Sequence, residues 1–198
     1  ANAPLSTNIT DQWMLSRLQS LLTNVTREMA DYKLYNVVPA LFEFIEELTN
    51  WYIRLNRPRF WIEGESADKN SAYQTLHGVT LAMAPFAPFL AEHIYQQLLP
   101  YAPKGEAQPQ SVHLCRFPQP NAALIQPTLE AAVARMQAII LLGRQKRNQV
   151  KIKTKTPLAR LTIVHREQSM LDEIARLENY IKSELNVKQV SYTRNEDD

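Results

Sequence analysis

Chemistry in this sequence has to be sought among four histidines, one cysteine, a few clustered glutamates and two cationic stretches. His77, His93, His113 and His165 fall on separate segments, and none has an imidazole, thiolate or carboxylate at metal-ligand spacing. Glu92 and His93 are adjacent, which on a helix sends them to different sides. Each histidine therefore reads as an ordinary surface or partly buried side chain. Cys115 has no base beside it and reads as an inert thiol. Glu43, Glu46 and Glu47 share the polar face of an amphipathic helix, where a solvated face explains them without acid–base work. Gly64, Gly78, Gly105 and Gly143 are isolated, so no glycine-rich loop cradles a phosphate. No catalytic site, metal or cofactor is expected within this chain.

The cations are different. Residues 144–166 carry eight Lys/Arg and no acid, although the whole chain has a net charge of only +2. Such a patch reads as a footprint for a polyanion, or as a solvated face. Arg144, Lys146 and Arg147 fall at a helix C-terminus, where the helix dipole favours positive charge with no ligand at all. That account does not reach Lys151, Lys153 and Lys155, which alternate with Ile152 and Thr154. On extended backbone all three project from one face. The second stretch, "WYIRLNRPRFW" at 51–61, interleaves rings with Arg54, Arg57 and Arg59. Tyr52 lies on a core stripe. Trp51 and Trp61 read equally as buried rings or as platforms on which an unpaired base stacks.

The elements that must position these groups are mostly helices. Met14, Leu18, Leu21, Val25 and Met29 recur at helical spacing over 11–32, with Thr10 as the expected N-cap. A second helix is predicted over 34–63 from Leu41, Ile45, Leu48, Tyr52 and Leu55, disturbed at Pro58 and stopped at Gly64. A third spans about 70–84, a fourth starts at Pro88, and a last long one runs 128–148. The proline-rich connection between the last two contains "VHLCRF", a candidate short extended piece. After residue 150 the pattern changes to strand (158–165), helix (169–185, with Ser169 and Asp172 at capping-box spacing) and strand (187–193). The expected fold is mainly α: an antiparallel helix bundle over 1–150 and a small C-terminal β-α-β appendage over 151–198, too small to stand alone. One cysteine and no bilayer-length apolar run point to a cytoplasmic chain. The missing initial methionine points to a piece of something longer.

Several strings together resemble the anticodon-binding region of isoleucyl-tRNA synthetase, a class I enzyme. They are "NWYIRLNRPRFW", "SAYQTL", "LAMAPFAPFLAEHIYQQL", "SVHL" and "GRQKRNQVKIKTKTPL". "APFAPFLAEHIY" is similar to valyl and leucyl enzymes too, and the valyl domain is the alternative. The combination of "NWYIR", R-x-R-F-W and K-I-K-x-K-x-P-L favours the isoleucyl one. Cys115, Arg116 and Phe117 stand where the family more often has an acidic pair and a tryptophan. The resemblance implies a monomeric module that binds the anticodon stem-loop of tRNA(Ile), beside the remaining domains of the same synthetase. It also implies that ATP and Mg²⁺ belong to the parent enzyme, an isoleucine–tRNA ligase that edits valine. The residues it nominates for RNA are Arg54, Arg57, Arg59, Trp61, Arg144, Arg147, Lys151, Lys153 and Lys155. A structural docking role for the module is the competing expectation.

Overall fold

The computed structural model describes residues 6–60, 67–103 and 108–195. They fall into two compact units, Ala1–Gln126 and Pro127–Asp198. The mainly helical architecture agrees with the sequence reading. The division does not lie at residue 150 as expected: the last long helix groups with the appendage.

In the first unit, α1 (Ile9–Ala30) is capped by Asn8, whose side chain accepts from the Thr10 amide at 2.8 Å, so the cap is two residues earlier than expected. Its apolar stripe buries Trp13, Met14, Leu18, Leu21 and Val25. Helix α1 ends in a Schellman turn: the Tyr32 amide reaches Met29 O and the Lys33 amide reaches Glu28 O, with Tyr32 left-handed at φ 59°. This reverses the chain into α2 (Leu34–Glu47), which buries Val37, Leu41 and Phe44 against α1. The connection is fastened by Asn36 Nδ2 donating to Glu28 Oε2 at 2.7 Å.

The predicted second helix is not continuous. Leu48–Ile53 forms a π-helical turn, and a separate four-residue helix, α3 (Arg57–Phe60), follows a break at Asn56. One extra residue per turn rotates everything downstream. Tyr52 keeps its core place at 1% exposure, but Asn56, and not Leu55, is the next residue turned fully inward. A buried polar group must be matched. Asn56 Nδ2 donates to Tyr52 O at 2.8 Å, and its Oδ1 accepts from Thr10 Oγ1 at 3.0 Å.

Beside it lies the carboxylate of Asp11, wholly buried in the first turn of α1. Tyr52 Oη donates to Asp11 Oδ1 at 2.8 Å, while Arg59 reaches both oxygens, at 3.2 and 2.8 Å. The residues after the break are therefore locked onto the start of α1. Helix α4 (Ala67–Met83) packs on α1, and α5 (Pro88–Leu98), with proline in its first turn, packs on α4. "VHLCRF" is not extended; Val112–Leu114 is a single 3₁₀ turn. Glu92 on α5 pins it, accepting from Ser111 Oγ at 2.9 Å and the Val112 amide at 2.8 Å.

The second unit is built on α6 (Pro127–Gln149), which buries Leu129, Val133, Met136 and Ile140. Strands β1 (Leu158–Val164) and β2 (Val187–Thr193) form a two-stranded parallel sheet, Leu161 opposite Val190 and Ile163 opposite Tyr192. The crossover is two helices, α7 (Gln168–Ala175) and α8 (Glu178–Leu185), where one was expected; no side chain caps α7, so the Ser169–Asp172 box is not used. The break lets Leu177 turn fully into the core. A lone parallel pair is weak and needs helices laid against it. Helices α7 and α8 both pack on α6, and Gly143 permits this: a Cβ there would meet Leu185 Cδ1 at 2.6 Å.

Two stability measurements test this arrangement. Asp11→Asn removes the negative charge and sets an NH2 donor in place of one of the two oxygens that Arg59 holds, and should cost about 2–3 kcal/mol in urea unfolding, against less than 0.5 for an exposed acid such as Glu43. The Glu92 carboxyl is held below its ordinary value of 4.5, first by the Gln96 amide and then by the Val112 amide. A lowered carboxyl stabilises fully above its unfolded value and loses that contribution as the pH falls through the folded one. Glu92→Gln should therefore lower the urea midpoint at pH 7, and the gap from wild type should narrow once the pH drops below 4.5.

Candidate nucleic-acid interface

The nominated residues divide by what already holds them. In the first unit, Arg59 has 20% of its side chain exposed and its guanidinium is committed to Asp11 and Asn56. Phe60 is likewise a packing residue, its ring set edge-on to Tyr52 at 5.8 Å between centroids. Arg54 and Arg57 are exposed. Trp61 lies outside the described residues. Tyr52, Asn56, Arg59 and Phe60 thus serve the fold, and Arg54 and Arg57 are the exposed cations of the described part of the stretch.

In the second unit, Arg147 is corrected in the same way. It sits on the inward face of α6 at 4% exposure. Its Nη1 donates to Lys153 O at 3.1 Å, and its Nη2 donates to Leu185 O at 2.6 Å, Thr156 O at 3.0 Å and Asn186 O at 3.3 Å. A phosphate cannot reach it. Arg144, about one quarter exposed, is paired with Glu184 of α8. Both were reasonable candidates by charge, and both are consumed by burial of the α6–α8 seam.

Lys151, Lys153 and Lys155 remain exposed, and none makes an ion pair or side-chain hydrogen bond among the described residues. They are not a strand-like ladder. Lys151 is left-handed at φ 57°, closing α6 with a second Schellman turn in which the Ile152 amide reaches Arg147 O at 2.9 Å. Lys153–Thr156 is a tight turn closed by the Thr156 amide on Lys153 O at 2.9 Å. Three ammonium groups therefore leave a curved loop, with Lys146 also exposed one turn back on α6. Ammonium groups so placed match the charge of phosphate oxygens.

Sequence reasoning missed Asp11 and Asn186. Asp11 looks like an ordinary first-turn acid, and nothing in its neighbours announces that the chain will return 48 residues later with an arginine. Asn186 did carry a signal: asparagine after a helix is a common left-handed cap, and here it has φ 48°. No other cluster competes. Among the described residues no group of three metal-ligating side chains occurs, and no helix is long and apolar enough to cross a membrane. His77 is half buried against Tyr73 and Tyr95, and burial lowers its pKa, which keeps the imidazole neutral. A pocket of about 200 Å³ under the π-helical turn, bounded by Leu48, Tyr52, Phe60 and Leu76, offers no polar group to orient a ligand.

A family model described as the anticodon-binding domain of tRNA ligase matches residues 11–163. Among curated proteins, the isoleucine–tRNA ligase of Bdellovibrio bacteriovorus is 44% identical over 200 residues, covering 99% of this chain and 19% of that protein. The cytoplasmic isoleucine–tRNA ligase of Saccharomyces cerevisiae is 43% identical over 202 residues, covering 96% and 19%. That of Mus musculus is 42% identical over 193 residues, covering 94% and 15%. The chain spans about a fifth of the length of the first of these relatives.

Proposed function

The chain belongs to the anticodon-binding domains of the isoleucine–tRNA ligase family, and from that premise we propose that it grips the anticodon stem and loop of an isoleucine tRNA. The parent polypeptide would join isoleucine to that tRNA with ATP and Mg²⁺ and clear mischarged valine, in the cytoplasm, through residues outside this chain. The observation that carries the proposal is the acid-free run at 144–166, from which Lys151, Lys153 and Lys155 project into solvent with no side-chain partner among the described residues. Phosphate contacts of this kind fix register and orientation and add affinity that salt removes. Splayed anticodon bases are read by stacking and by their edges, for which Arg54 and Arg57 are the exposed candidates of the first unit. Choosing isoleucine over valine is a one-methylene problem for an amino-acid pocket, not for this surface.

A docking role has one specific observation in its favour. Tyr35, Val38 and Phe42 form a stripe along α2 with 72%, 39% and 66% of their surfaces in water. An apolar row of that size suits packing against another part of the synthetase. The two readings are compatible, and tRNA affinity separates them. Changing Lys151, Lys153 and Lys155 together to Gln should weaken binding of an isoleucine tRNA transcript and flatten the log–log salt dependence by about 2, at roughly 0.7 per lost single-strand phosphate contact. A slope unmoved by the triple change would leave docking as the surviving reading.

A further inference from the structure

We propose that Arg147 and Asn186 are positioning residues that hold the Val150–Pro157 loop as a ready-shaped phosphate clamp, and that Lys151 occupies a strained backbone site because a cation is needed there. The inference rests on the tRNA-binding reading above and names what makes that surface work.

Four consecutive carbonyls, those of Lys153, Thr154, Lys155 and Thr156, are all engaged by side chains of the same unit. Arg147 takes Lys153 O and Thr156 O, and Asn186 Nδ2 donates to Thr154 O and Lys155 O at 3.0 Å each. Carbonyl oxygens facing a ligand would repel a phosphate; here they are spent on the protein's own donors. What the loop turns outward is lysine. Arg147 also has no carboxylate partner among the described residues, so its charge is balanced only by carbonyl dipoles. A positive charge left unneutralised under the loop adds to the field of the lysines above it. Loop shape and loop potential then come from the same two side chains.

Lys151 gives an independent sign. The residue after a helix in the left-handed conformation is usually glycine, because a Cβ is strained there. This position carries lysine instead, with φ 57°. Tyr32 bears the same strain at the end of α1, with φ 59°, so what sets Lys151 apart is the charge that this strained position adds to the outward face of the loop.

The test is a double-mutant cycle read by anisotropy with a fluorescein-labelled isoleucine tRNA transcript, with affinities referred to the folded fraction from circular dichroism. Asn186→Gly keeps the left-handed backbone and deletes only the two tethers, while Asn186→Asp keeps the size and turns a donor into a repelling acceptor. Each should weaken binding on the order of three- to ten-fold, the cost of ordering a loosened loop, with Asp worse than Gly. In the background where Lys151, Lys153 and Lys155 are Gln, the same changes should cost nothing further. An equal loss in both backgrounds, or no loss in either, overturns the positioning role. If the triple lysine change alone leaves affinity and salt slope untouched, it is the tRNA reading that fails. Lys151→Gly should raise the melting temperature while weakening binding; a melting temperature that does not rise overturns the strain argument.

Discussion

A charge taken out of water must be met in place by groups that the chain delivers from a distance, and each unit of this protein is organised around one such charge. In the first, the buried Asp11 carboxylate gathers Tyr52 and Arg59 and so fixes where the chain goes after the break at Asn56. In the second, the buried Arg147 gathers carbonyls from the loop after α6 and from the end of α8. Neither charge could be swapped for a hydrophobe alone, because the partners would be left buried and unmatched. The apolar stripes bring the helices together; these two ions fix the segment after Asn56 and the loop after α6, while Glu28 and Glu92 fasten the α1–α2 turn and the Val112–Leu114 turn.

The legible part of the structure was the part written in periodicity. Apolar residues three and four apart announced α1, α2 and α6, Pro88 announced the start of α5, and β-branched runs announced both strands within a residue or two. What could not be read depended on a single inserted residue or on a partner far away. The π-helical turn changes the phase of a helix without changing its composition, so the stripe ending in Leu55 looked continuous while Asn56 took the inward place. The alternating lysines fit an extended strand or a tight turn equally well; carbonyl capture by Arg147 and Asn186 selects the turn. Charge alone does not separate cations that serve the fold from cations that serve a ligand. Arg59, Arg144 and Arg147 are each engaged with acceptors of the fold, whereas the exposed lysines offer compact charges to solvent.

The division of labour between the two cation types suits a binding surface meant to meet a flexible polyanion. Arginines inside are held by fixed acceptors and set the geometry, and under the proposed reading the lysines outside, on flexible four-carbon stems, would adapt to the phosphate positions of an RNA loop. The family relationship across residues 11–163 includes both units, crossing the boundary at Gln126 and running into β1. The match thus takes in α6, the lysine loop and most of the first strand, and Asn186, just before the second strand, ties that loop down.

The stripe of Tyr35, Val38 and Phe42 has a consequence for handling the molecule. A net charge of +2 gives separate copies little long-range repulsion. Three large apolar side chains in a row on an exposed helix then weigh heavily on how concentrated a solution stays clear. They also determine how strongly cooling, detergent or salt shifts that limit, since apolar attraction weakens in the cold. Colloidal behaviour of the separated module is thus written on α2, on elements that take no part in the cationic loop.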